Sequence, residues 1–172
     1  MRLVSQRTIY QGRVIRLIRE VLEVDGRRII RETVRHPGAV VIVPVLDGER
    51  LVFVRQYRRA VGRFLLELPA GTLEPGERRE ACARRELQEE TGWRARRWRR
   101  IAQFYAAPGV LSERMTVFLA RGLVRAAARP DPDERLEPVV LPFRRALAKV
   151  RTGQIRDGKT IIGLLLTEKL LR

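Results

Sequence analysis

The chain of 172 residues is long enough for one domain with a buried core, and 45% hydrophobic residues place it outside the disordered class. Its one cysteine, Cys82, and one histidine, His36, exclude an intramolecular disulfide, a cysteine zinc site and a multi-histidine metal centre. A formal charge of +16, nearly all of it arginine because lysine stands only at Lys149, Lys159 and Lys169, suits anionic partners but is scattered along the chain, so biased composition is the simpler account.

The N-terminal sequence MRLVSQRTIYQGR lacks the apolar stretch of a secretory signal. The longest apolar run, 39–46, is interrupted by Pro44 and is too short to span a bilayer. A soluble cytoplasmic protein with no membrane association is expected. Residues 7–11, 13–24 and 27–35 read as short strands, with Asp25-Gly26 as a hairpin turn between the last two. This strand-rich element, 1–36, is too small to be stable alone. It must pack on the main domain, 37–172, or on a second subunit.

After the Pro37-Gly38 boundary, 39–46 and 50–55 read as a buried hairpin turning at Asp47-Gly48. A short strand at 64–68 leads to a turn at Pro75-Gly76. A helix follows at 77–91, with Gly92 where a C-terminal cap belongs. Strands at 98–106, 114–121 and 136–141 and helices at 143–152 and 160–171 complete the chain. Strands from several hairpins with helices between and after them indicate an α+β class, a mixed sheet covered by helices.

Helical periodicity over 77–91 brings Glu86, Glu89 and Glu90 onto one face at i, i+3 and i+4. Like charges at that spacing cost roughly 0.2–0.5 kcal/mol per pair. A divalent cation is the natural counter-charge, since hard cations take carboxylate and carbonyl oxygens. Glu77 falls in the first helical turn, where the dipole favours a carboxylate. Arg85 is placed to reach Glu89 at i+4 or the preceding loop. Gly71 and Pro75-Gly76 shape that loop and let backbone approach the acidic face. The competing reading is a solvated helix laced with Glu–Arg pairs, given Arg78, Arg79 and Arg84.

The run from Gly71 to Trp93, GTLEPGERREACARRELQEETGW, resembles the signature of the Nudix hydrolases, which cleave nucleoside diphosphates linked to another moiety. Gly71, Glu77, Arg85, Glu86, Leu87, Glu89, Glu90 and Gly92 all match, and Trp93 replaces the usual bulky aliphatic. Eight matches at fixed spacing outweigh the solvated-helix reading. The resemblance implies a Nudix fold, a mixed sheet sandwiched between helices (α/β/α) with a small N-terminal β element. It implies a magnesium cofactor, with manganese or another divalent cation as substitutes. Glu86, Glu90 and the Ala70 carbonyl are then metal ligands, Glu89 a ligand or base, and Arg85 and Glu77 a supporting pair.

The flanks LLELPAG and VRQYR are similar to the ADP-ribose pyrophosphatase branch, which implies cleavage of ADP-ribose to AMP and ribose 5-phosphate. In that branch a proline stands about fifteen positions past the signature, and Pro108 matches. The resemblance then implies that Glu113, in PGVLSER, is a metal ligand or the base, and that Gly109 binds substrate. It implies that Arg58 grips ribose or phosphate oxygens. Arg13 and Val14, in YQGRVI, would contact adenine across a homodimer. Glu134, in DPDERLE, reads as a solvated turn residue in preference to a loop residue that reaches the site.

Alternatives are another substrate (a nucleotide sugar, NADH or capped RNA) or a basic nucleic-acid-binding module using RARRWRR at 94–100. The last stretch reads better as an edge strand, where arginines discourage edge pairing. Cys82, one turn before Glu86, reads as a helix packing residue.

Overall fold

A computed structural model describes residues 1–127 and 136–171, so Glu134 lies outside the described residues. The described chain divides into two compact units. One comprises Met1–Gly38 with Phe104–Arg114, the other Ala39–Gln103 with Met115–Arg172.

The first unit is an antiparallel sheet in the order β1 (Arg2–Gln11), β2 (Arg16–Val24), β3 (Arg27–Arg35). Asp25 and Gly26 form the β2–β3 turn with φ of 51° and 75°. β1 begins five residues before its expected start and is mostly exposed, so no hydrophobic alternation announces it. The 107–113 segment is hydrogen-bonded to the end of β3. Val34 donates to the Val110 carbonyl (2.8 Å), Ser112 donates to Val34 (2.9 Å), and His36 N donates to Ser112 Oγ (3.0 Å).

The second unit is organised by β4 (Ala39–Asp47), whose first seven residues are all buried. Such a run without polar alternation belongs to a strand covered on both faces. Val40 and Ile42 pack with Cys82, Ala83 and Leu87 of α1 (Arg79–Thr91) and with Phe118. Val41 and Val43 point the other way. On that side Leu68, Val43 and Val117 approach Gly163 of α3 (Gly158–Thr167). Each fully buried aliphatic contributes about 1.5–3 kcal/mol, so a one-residue slip of β4 would exchange the two packed faces at heavy cost. The layer order is therefore helix, mixed sheet, helix, as expected.

β4 pairs in parallel with β9 (Arg114–Arg125) and antiparallel with β5 (Arg50–Arg58) and β7 (Ala70–Thr72). The sheet runs β10 (Leu136–Pro142), β5, β4, β9, β8 (Trp93–Tyr105), with β6 (Arg63–Glu67) paired to β5. α2 (Phe143–Arg151) buries Phe143, Ala146 and Leu147. The arginine-rich stretch is the outer strand β8, as read from sequence, but β8 starts at Trp93, five residues early. Trp98 packs edge-on against Phe118 (6.2 Å between ring centres) and its Nε1 donates to Ala95, so it is not offered to a nucleic-acid base. No helix among the described residues is long and apolar enough to cross a membrane.

Candidate active site

The acidic helix ends at Gly92, whose φ of 68° lets its N–H close on the Gln88 carbonyl at 2.9 Å. Its start differs from expectation. Glu77 lies outside the first turn, because α1 begins at Arg79. A tight turn over 74–77, with Pro75-Gly76 at its centre, holds Glu77 instead: its N–H donates to the Glu74 carbonyl (3.0 Å), and its carboxylate accepts from Glu74 N (3.1 Å). Glu77 is thus fixed by Arg85 and by the turn rather than by the helix dipole.

Arg85 is the hub. Its Nε and Nη2 pair with the two Glu77 oxygens (3.0 and 3.1 Å). Its Nη1 reaches Glu86 (2.8 Å) and Glu89 (3.0 Å), and its Nη2 also reaches the Thr72 carbonyl (3.3 Å). The planar fork makes this possible. One cation therefore answers three of the four carboxylates and fastens them to the loop. The Arg85 hydrogen bonds hold the Glu77 carboxyl below its ordinary range, and those same bonds raise Arg85 itself.

Two carboxylates meet the β7 backbone. The Glu90 side chain is buried (3% exposed) and accepts from Ala70 N at 3.2 Å. Glu86 lies directly over Gly71, where a Cβ would stand 1.8 Å from its Oε1. Only glycine admits that approach. Gly71→Ala must push the Glu86 carboxylate aside, which is cheap for the fold because the displaced group is a side-chain tip. The expected result is an unfolding free energy within about 1 kcal/mol of wild type and a turnover loss of roughly 10²-fold. Unchanged kcat in Gly71→Ala would show that the Glu86 position is unimportant.

Among the described residues, no group of three or more His, Cys, Asp or Glu side chains is arranged to hold a metal ion alone. The donor set here is instead two carboxylates, Glu86 and Glu90, against the backbone of Ala70 and Gly71. Oxygen donors of this kind fit a hard divalent cation that keeps several waters. Cys82 is fully buried beside this site, and burial pushes its thiol well up, which disfavours the thiolate that a nucleophile needs.

A second cluster was not anticipated from sequence. Glu67, 1% exposed, receives both Arg58 Nε (2.9 Å) and Nη2 (2.7 Å), and also pairs with Lys159. Lys159 in turn meets Asp157 (2.9 Å), which caps α3 by accepting from Thr160 N (3.0 Å). Thr160 Oγ1 accepts from Leu68 N at 2.8 Å, tying this cap to the strand that leads into Ala70. Two signals were available: Asp157 stands three residues before Thr160, an N-cap spacing, and Glu67 is the lone acid in an apolar run.

Burial raises the Glu67 carboxyl, but the Arg58 hydrogen bonds and the Lys159 charge outweigh it and hold the group below its ordinary 4.5. Glu67 and Glu77 therefore protonate at lower pH in the folded chain than in the unfolded one. Their stabilisation is complete above 4.5 and is lost as pH falls below it. The urea midpoint should fall between about pH 5 and pH 3, and Glu67→Gln should flatten part of that fall. A midpoint constant over that range would contradict this.

The remaining expected site residues lie in the first unit. Arg13 and Val14 occupy the exposed β1–β2 turn. Gly109 sits in the turn before Leu111. Glu113 is largely buried, with Oε1 3.6 Å from a His36 ring nitrogen that accepts the Gly38 N–H.

The family model of the NUDIX domain matches residues 35–161, well over half the chain. The chain belongs to the Nudix family. The carboxylate helix, its arginine hub and the Gly71 approach lie within the matched residues. Nudix hydrolases generally need a divalent cation. Among similar proteins is an ADP-ribose pyrophosphatase of Bacillus subtilis (strain 168), 38% identical over 160 residues, covering 91% of this chain and 86% of the relative. A methanol dehydrogenase activator of Bacillus methanolicus is 36% identical over 159 residues, with 91% and 86% covered. A crystal structure described as an ADP compounds hydrolase superposes with a TM-score of 0.86 at 24% identity, covering 98% of this chain and 92% of that one.

Proposed function

We propose that this Nudix hydrolase cleaves ADP-ribose to AMP and ribose 5-phosphate with magnesium as its cation, in the cytoplasm. The observation that carries the chemistry is the convergence of Glu86 and Glu90 on the Ala70–Gly71 backbone. The substrate assignment draws support from the ADP-ribose pyrophosphatase of B. subtilis and from the LLELPAG and VRQYR flanks.

Glu86, Glu90 and the Ala70 carbonyl would hold the magnesium ion. Once bound, it supplies charge neutralisation at the pyrophosphate and an acidified water. Arg85 keeps Glu86 and Glu89 in register, and Glu77 keeps Arg85 in place. Water attacks one phosphorus, the bridging P–O bond breaks, and the water proton passes to Glu89 or Glu113. Arg58 binds phosphate oxygens with the edge of its guanidinium turned from Glu67. Gly109, Arg13 and Val14 complete the substrate contacts.

The active form is a homodimer joined through the N-terminal sheet. Leu3, Ile9, Tyr10, Val14 and Ile30 there are each about half exposed, an apolar surface that suits a second copy. A panel of ADP-ribose, GDP-mannose, NADH and capped RNA tests the substrate. ADP-ribose should show the highest kcat/KM. A clear preference for another member of the panel would replace it.

A further inference from the structure

We infer that Lys159 is a positioning residue that acts through Glu67 to present Arg58, with its positive charge available, to the substrate diphosphate. The inference rests on the proposed reading of Arg58 as a phosphate-binding group. A bidentate Arg58–Glu67 pair on its own is electrically neutral and would offer an anion little. Lys159 changes that sum. It adds a second cation to the same buried carboxylate, so Arg58, Glu67, Lys159 and Asp157 together are neutral, whereas without Lys159 the set would carry one net negative charge and repel an anion. Asp157, whose charge also reaches Arg58, is engaged by Lys159 and by the N-terminus of α3.

The same contacts fix position as well as charge. Glu67 faces Val54 across the β5–β6 hairpin, and Arg58 lies four residues along β5 on the same face. Its side chain runs back along the strand to reach Glu67, and Glu90 lies within its electrostatic reach. Lys159 is 92 residues from Glu67 in sequence and 10% exposed, so water cannot readily substitute for it. Leu68, next to Glu67, is bonded to Thr160, next to Lys159, so the pairing is held in register by backbone as well as charge.

The test is a double-mutant cycle on the full chain, with ADP-ribose as substrate. Lys159→Met should raise KM roughly tenfold while leaving kcat within about threefold. The calorimetric Kd for ADP-ribose without metal should weaken by the same factor. In an Arg58→Met background, Lys159→Met should change KM less than about twofold, because its route to substrate is gone. Lys159→Arg, which keeps the charge, should restore KM to within about threefold of wild type. Should Lys159→Met fail to fold, Lys159→Gln removes the charge while keeping a donor and carries the same cycle. Effects of Lys159 and Arg58 that simply multiply, or a fall in Tm with KM unchanged, would assign Lys159 a structural role only. A wild-type chain inactive on ADP-ribose would remove the reading on which the inference rests, and is distinguishable from either result.

Discussion

Glu90→Gln should lower turnover by on the order of 10³-fold or more while leaving the fold intact. The substitution keeps an oxygen that can accept the Ala70 N–H, so the buried contact at 3.2 Å survives. What disappears is the negative charge facing the cation. Relief of repulsion among Glu86, Glu89 and Glu90 returns roughly 0.2–0.5 kcal/mol per pair, so the unfolding free energy should stay within about 1 kcal/mol of wild type. Glu86→Gln should behave alike, with divalent-cation affinity reduced at least about tenfold in both variants. Steady-state kinetics, urea unfolding and calorimetric titration of magnesium check the three parts separately. Turnover near wild type in either variant would refute the metal assignment.

Arg85→Met should act on stability and activity together. Methionine retains the stem but removes the group that answers Glu77, Glu86 and Glu89. Glu77 is only 14% exposed and loses its principal partner. Leaving partly buried carboxylates without their counter-charge costs about 2–3 kcal/mol, or a fall in Tm of about 5–10 °C for a chain of this size. Turnover should fall about 100-fold, because Glu86 and Glu89 lose their register. Arg85→Lys should recover only part of each effect, since one ammonium cannot span three carboxylates and the Thr72 carbonyl. A Tm within 1 °C of wild type in Arg85→Met would show that the hub is ornamental.

The helical half of the site was legible because its information is local. Glu86, Glu89 and Glu90 are within five residues, and Gly71 and Gly92 mark the loop and the cap by residue type alone. The buried hairpin was equally readable from the apolar runs 39–46 and 50–55, and the first seven residues of β4 are buried. Local sequence is silent where tertiary contacts decide. Glu77 sits before the helix because the Glu74 turn and Arg85 capture it. β7 is three residues, Ala-Gly-Thr, with no strand pattern; the free N-terminal edge of β4 makes it a strand. The Glu67–Lys159 pair joins positions 92 apart, and no periodicity in either segment refers to the other. α3 starts at Gly158, not at 160, because Asp157 caps it. Arg58, a substrate-binding arginine by resemblance, is also built into that buried network.

If Glu86 and Glu90 hold the cation, hydrolysis of ADP-ribose by this Nudix chain requires both the metal and their charges. Chromatographic product analysis of ADP-ribose incubated with the purified chain and magnesium tests it most directly. The expected products are AMP and ribose 5-phosphate in equal amounts, none with EDTA present, and at most a trace with Glu90→Gln. Intact ADP-ribose after prolonged incubation, or product formation that survives both EDTA and Glu90→Gln, would contradict it.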